Sequence, residues 1–405
     1  MEKVILAYSG GLDTSVILKW LIEKKFEVIC FLADVGQKED MQAVKQKALN
    51  LGASQVYIED LRQEFVEQYV FQALKANATY EGRYLLGTAL ARPLIAKKQI
   101  EIARQENTSI VAHGATGKGN DQVRFEIAYL SLMPEATIIS PWKDLTFLKQ
   151  FKGRTDMIAY AEQHGIPITS TLQKPYSMDE NLLHTSYEGG ILENPFQEAP
   201  ENMFQHTMAA AATPNEAAYI MIEFAKGVPI AVTNLATGLT INESAVALLS
   251  YLNTLCGTHG IGRVDIVENR FVGMKSRGIY ETPGGTVLWK AHHDLETLVL
   301  DREVFHLKEM WMPKIAQLIY NGFWFSPEMK FLMAAIENSQ EHVEGKVYLK
   351  LYKGNAIITK RESIKSLYNQ DVASMDRLGD YDQLDAKGFI KLNALRLKNA
   401  KGCTQ

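Results

Sequence analysis

The chain has 405 residues, 46% of them hydrophobic and 22% charged, with a formal net charge of −4. That length can bury a large core and divide into two domains, and the composition is ordinary for a soluble globular protein. Without a basic excess there is no electrostatic case for nucleic acid as the main partner, and no apolar run reaches membrane-spanning length.

Val4-Ile5-Leu6-Ala7 has the length and character of a buried parallel strand. It starts too early for a basic-then-apolar leader to precede it, so a cytoplasmic protein is expected. Cys30, Cys256 and Cys403 stand far apart, with no CxxC pair or zinc spacing, which fits a reducing compartment. Cys30 reads as strand core and the other two as incidental. Residues 16–25 are too long and continuous for a second strand and suit a buried helix. The octet between, Tyr8-Ser9-Gly10-Gly11-Leu12-Asp13-Thr14-Ser15, is therefore a strand-to-helix turn. Two adjacent glycines let its backbone approach a ligand closely. Ser9, Thr14 and Ser15 add hydroxyls, and the helix N-terminus favours an anion. The turn suits phosphate, although a bare Gly-Gly would also serve a capped turn. Both G-x-x-x-x-G-K-[ST] and G-x-G-x-x-G are absent. Ser-Gly-Gly-Leu-Asp-Thr-Ser resembles the signature loop of the ATP pyrophosphatases. The resemblance implies a loop that holds the β- and γ-phosphates of ATP, which leave as pyrophosphate while a substrate oxygen takes AMP.

Glu27–Asp34 is the second strand, and a helix follows over 40–51 with Gly52 at its C-terminal cap. Residues 55–58 are the third strand. Two helical stretches come next, the second carrying 90–97. Residues 109–114 form the fourth strand and 137–140 the fifth. Such alternation means a parallel sheet with helices on both faces, whose ligands sit beyond the carboxyl ends of the strands. From about residue 166 the pattern changes. Residues 167–205 read as loop-rich, and a mixed α+β region follows with strands at 219–222 and 346–352. Thr240 to Glu243 resembles a capping box before a helix through Leu255. Gly354-Asn355 suits a hairpin turn into Ile357-Ile358. After the polar link Asp380-Tyr381-Asp382, residues 388–397 form an amphipathic tail suited to docking on another subunit.

The fourth strand runs into His113-Gly114-Ala115-Thr116-Gly117-Lys118-Gly119-Asn120-Asp121-Gln122-Val123-Arg124-Phe125-Glu126. Asn120 or Asp121 can start the next helix, which sets Asn120 and Arg124 on one face. Arg124 offers a planar fork for a carboxylate, while Asn120 both donates and accepts. A ligand with carboxylates beside a phosphate would suit this loop; a capped helix with a surface ion pair is the plainer reading.

Together with the first loop, this segment resembles the argininosuccinate synthases. So do Tyr84-Leu85-Leu86-Gly87-Thr88, the run from Lys174-Pro175-Tyr176-Ser177 to Leu182, the run from Ser186 to Glu193, and Val267 to Gly273. The resemblance runs from the first strand to Leu395-Arg396. It implies an α/β fold: a parallel-sheet nucleotide-binding domain of the adenine nucleotide alpha-hydrolase type over 1–165, an α+β synthetase domain over 166–362, and an oligomerisation tail over 363–405. It further implies a ligase that joins citrulline and aspartate with ATP and Mg²⁺, in a homotetramer.

Carried over position by position, the resemblance gives ATP the backbone from Ala7 to Ser15, with Ala33 and Gly114 lining the adenosine. Aspartate falls to Thr116, Asn120 and Asp121. Citrulline falls to Tyr84, Asn120, Arg124, Ser177, Ser186, Glu268 and Tyr280. Ala89 stands where relatives often carry serine, and Thr88 is expected to supply that hydroxyl. Asp13 is expected to orient the metal or the loop, and Asp121 to orient the aspartate amine without acting as its base. The ATP carries the Mg²⁺, with no protein metal site. Read alone, Ser177 and Ser186 are loop serines, Tyr84 and Tyr280 core aromatics, and Glu268 a strand-edge charge. A thiolating or amide-forming ATP pyrophosphatase would share the first loop, but neither reactive cysteines with a basic face nor a glutaminase domain is visible. A nucleotide sensor without turnover is the reading from outside enzymes.

Overall fold

The computed structural model describes residues 1–167, 176–376 and 381–400. Lys174, Pro175, Asp380 and Cys403 lie outside these residues. Five strands, β1 (Lys3–Ala7), β2 (Glu27–Asp34), β3 (Gln55–Asp60), β4 (Ile110–Ala112) and β5 (Thr137–Ile139), make one parallel sheet in the order β3-β2-β1-β4-β5. β1 is central because both of its faces are apolar: Ile5 joins the core on one side, Val4 and Leu6 the core on the other. Strand order reverses between β1 and β4, which opens a crevice at their carboxyl ends.

Helix α1 (Leu12–Glu23) begins four residues before the position expected from its apolar run. The turn after β1 is only Tyr8–Gly11, with Gly11 at the N-cap, and Leu12 to Ser15 wind into the first helical turn. Asp13 there complements the positive end of the helix. Helix α2 (Met41–Asn50) is capped by Asp40, whose carboxylate accepts from the Gln42 and Ala43 amides at 3.0 and 3.1 Å. Gly52 follows its end at a φ of +105°, the backbone a C-terminal cap requires. The first of the two expected helical stretches contains a π-helical turn at Val66–Val70, and the second is α3 (Gly87–Gln105). Helix α4 (Asp121–Leu132) follows β4.

The stretch read as loop-rich holds two short strands, β6 (Ser177–Glu180) and β7 (Thr185–Glu188). Ser177 and Ser186 are therefore strand residues. β8 (Ala218–Ala225) and β9 (Val228–Asn234) come next, then β10 (Thr240–Ile241). Thr240 pairs with Thr233 in β10, so it caps nothing. The cap of helix α5 (Ala245–Thr258) is Ser244, whose Oγ accepts from the Ala247 amide at 3.0 Å. β11 (Arg263–Asn269) and β12 (Lys275–Glu281) form a hairpin, followed by helices α6 (Pro283–Val299) and α7 (Arg302–Asn321). β13 (Gly345–Tyr352) turns into β14 (Asn355–Glu362). The turn is Lys353-Gly354, both at positive φ, one residue earlier than expected, because Asn355 already pairs with Tyr352. Two antiparallel sheets result, β10-β9-β8-β13-β14 and β11-β12-β7-β6. Helix α8 (Asp385–Ala400) forms the tail and buries none of its residues. Cys30 and Cys256 are fully buried, and no helix among the described residues is long and apolar enough to cross a membrane.

Candidate active site

At the carboxyl ends of β1 and β4 lies an open cavity of about 770 Å³. The turn after β1 forms one wall, held by its own hydroxyls. Ser9 Oγ meets Thr14 Oγ1 at 3.1 Å, and the Ser9 amide donates to Thr14 Oγ1 at 3.3 Å. Ser15 Oγ meets Tyr8 Oη at 3.0 Å and donates to the Gly10 carbonyl at 3.4 Å. Lys47, on α2, adds a cation from behind, donating to the same carbonyl at 2.7 Å. Ala7, Tyr8, Ser9, Gly11, Asp13 and Thr14 line the cavity, whereas Gly10, Leu12 and Ser15 support it from outside the wall. Burial pushes the Asp13 carboxyl above its ordinary value, against its own backbone hydrogen bond and the Arg154 charge. Ala33 and Gly114 lie on the same wall. A Cβ on Gly114 would stand 2.9 Å from Thr14 Cγ2, so only glycine lets the two loops touch.

Facing this wall, α4 begins at Asn120, but the Asn120 side chain does not cap it. Its Oδ1 instead accepts from the Phe271 amide at 3.0 Å, in the turn between β11 and β12. Arg124 is buried: Nε donates to the Tyr320 carbonyl at the end of α7 (2.8 Å) and Nη1 to Asp121 Oδ1 (2.9 Å). Asp121 Oδ2 accepts from Arg92 Nε at 2.9 Å. Burial works to raise the Asp121 carboxyl, but Arg92 and Arg124 outweigh it and hold it below the ordinary carboxylate range. Thr116 lines the cavity near them.

The third wall comes from the second half of the chain. Glu268, on the edge strand β11, is buried and accepts from Tyr280 Oη at 2.8 Å and from Tyr320 Oη at 2.6 Å. Burial raises its carboxyl, opposed by those two hydroxyls and by Arg124. The Tyr84 ring stacks on Tyr280 with centroids 4.1 Å apart. Ser186 lines the cavity and donates to the Asp179 carbonyl at 3.4 Å. Ser177 is exposed and stands off the wall, while Ala89 is buried in the core, so it is Thr88 that reaches the cavity.

Three lining groups, Arg92, Asp179 and Arg270, escaped the sequence reading, as did His184 behind Thr88 and Tyr320, which supports Glu268. Only Arg92 left a signal. A guanidinium within Leu90-Ala91-Arg92-Pro93-Leu94 must find carboxylates if that face is buried. Among the described residues, no group of three or more His, Cys, Asp or Glu side chains could hold a metal ion.

A parallel sheet with a glycine turn at its switch point defines a nucleotide-binding α/β protein. The arginines and carboxylates across the same cavity define one that handles a charged second ligand. The family description "Arginosuccinate synthase N-terminal HUP domain" matches residues 3–167, and "Arginosuccinate synthase C-terminal domain" matches residues 176–400. The argininosuccinate synthase of Pseudothermotoga lettingae is 59% identical over 98% of this chain and 93% of its own. That of Thermotoga maritima is 58% identical over 98% and 97%, and that of Xenopus tropicalis 56% over 98% and 96%. The chain belongs to the argininosuccinate synthase family.

Proposed function

We propose that the chain joins L-citrulline and L-aspartate into argininosuccinate, converting ATP to AMP and pyrophosphate. One observation carries this reading: the glycine turn and the Asp121–Arg124–Glu268 group open onto a single cavity. A nucleotide phosphate and an amino acid bound there would meet. The ATP phosphates lie against the turn from Ala7 to Ser15, with adenosine by Ala33 and Gly114. Citrulline takes Tyr84, Thr88, Asn120, Arg124, Ser186, Glu268 and Tyr280, and Ser177 only if β6 shifts inward. Aspartate takes Thr116, Asn120 and Asp121.

Citrulline's ureido carbon is a poor electrophile with a poor leaving group. Attack of its oxygen on the α-phosphorus expels pyrophosphate and turns that oxygen into part of a phosphate ester. Aspartate's neutral amine then attacks the carbon, and AMP leaves with the oxygen. The protein supplies position and charge stabilisation. Asp121, kept anionic by two arginines, orients the ammonium and is too weak a base to deprotonate it. A Mg²⁺ carried by the nucleotide would offset phosphate charge there, with Asp13, the carboxylate in the turn, orienting the ion or the loop. We further propose a cytoplasmic homotetramer, with the division at 1–165, 166–362 and 363–405. Pyrophosphate release tests the reading: it should require ATP and citrulline together, and release with ATP alone would refute it.

A further inference from the structure

One chain of polar contacts links both halves of the molecule, and it passes through Arg92 on α3. Arg92 Nε donates to Asp121 Oδ2 at 2.9 Å, and Nη2 donates to Asp179 Oδ2, on β6, at 2.7 Å. Its side chain is 16% exposed, lining the cavity. Asp179 Oδ2 also accepts from Thr88 Oγ1 at 3.0 Å. That uses the only proton of the hydroxyl, so Thr88 must accept from His184 Nε2, 2.9 Å away. His184 is therefore the Nε2–H tautomer, and its buried Nδ1 has no partner. On the other side, Asp121 Oδ1 is taken by Arg124. Asp121 is thus gripped by two guanidiniums from two helices, and among the described residues it is Arg92 that joins it to β6.

We propose that Arg92 is a positioning residue of the aspartate subsite, aiming Asp121 into the cavity and locking β6 against it. This rests on the assignment of Asp121 to the aspartate amine. The planar guanidinium is needed because it serves two carboxylates in two directions, which a lysine cannot do. A plain clamp between the halves would use the same contacts, so the test must separate the roles. The charged and titratable groups around Asp121 are Arg92 from α3, Arg124 from its own helix, and His184 from the turn before β7. Asp179 and Glu268 stand behind the two arginines. Removing Arg92 leaves Asp121 with less opposition to burial, so it protonates at higher pH.

The experiment compares the full-length protein with its Arg92→Gln and Arg92→Lys variants. One readout is kcat/KM for aspartate across the acidic range. The other is citrulline-dependent exchange of labelled pyrophosphate into ATP with aspartate omitted. In Arg92→Gln, kcat/KM for aspartate should fall about tenfold further than the exchange rate, with its acid limb displaced to higher pH. Arg92→Lys should return the limb part of the way without restoring KM. Proportional losses in both readouts with an unmoved limb would overturn the proposal and leave a clamp. Should Arg92→Gln fail to fold, Arg92→Lys decides alone, and an aspartate KM equal to the parent's overturns the proposal. If the parent itself shows no citrulline-dependent exchange, the ligase reading falls first and takes the subsite with it.

Discussion

Arg124 is half committed before any ligand arrives, with Nε on the Tyr320 carbonyl and Nη1 on Asp121. Among the described residues its Nη2 has no hydrogen-bond partner, which leaves it available to a ligand carboxylate. Arg124→Lys keeps the charge but loses this fork. KM for citrulline should rise about tenfold, or ~1.4 kcal/mol, while KM for ATP changes little. An equal rise for ATP would mean that Arg124 supports the nucleotide wall. His184 gives a prediction of a different kind. Burial, with the Arg92 and Arg124 charges, pushes its imidazole down to about 3. The folded state thus binds this proton less readily than the unfolded chain, whose histidines titrate near the ordinary value. Stability is complete above the unfolded value and falls as pH drops below it. Between neutrality and about pH 5 the loss should be about 2 kcal/mol, seen as a lower urea midpoint. A His184→Asn variant should lose correspondingly less, and an identical decline would put the effect elsewhere. At this scale the sequence showed residues that share one short loop, such as Asn120 and Arg124, but not their partners, the Phe271 amide and the Tyr320 carbonyl. It hid the Arg92–Asp179 pair, whose partners are 87 positions apart.

The elements that could be read were those whose signal is continuous. β1 and β2 are apolar on both faces, and Asp40 and Gly52 bracket α2 with side-chain and backbone chemistry of their own. β6 and β7 were not legible. Ser177-Met178-Asp179-Glu180 has no apolar alternation, and it becomes a strand only by pairing with β7, which in turn pairs with β12. Thr240 misled for a related reason: a capping pattern also fits a short edge strand, and the cross-strand bond from Thr233 decided it. The contact between the two loops gives this scale its test. In Gly114→Ala the new methyl meets Thr14 Cγ2 at 2.9 Å, so the Thr14 side chain or the β4 loop must shift where the two loops touch. KM for ATP should rise by about tenfold or more with citrulline affected less. An unchanged KM for ATP would show that the glycine turn and the β4 loop do not share one ligand.

Over the whole molecule, the parallel sheet builds the wall that carries the glycine turn, and the second half supplies Glu268, Tyr280 and Ser186 to the same cavity. None of the tail's described residues lines that cavity. Phe389, Ile390, Leu392, Leu395 and Leu397 on α8 are 53% to 70% exposed. Their apolar face is uncovered among the described residues, and the tail's amphipathic pattern was legible in the sequence. A chain ending at Gln383 should keep its nucleotide-binding domain and fall to smaller oligomers. Sedimentation of an assembly unchanged from the parent's would contradict that. The fate of one oxygen tests the proposed reaction most directly. With ¹⁸O in the ureido group of citrulline, mass spectrometry of the products should find the label in the phosphate of AMP. Label in pyrophosphate or in water would contradict transfer of AMP to citrulline.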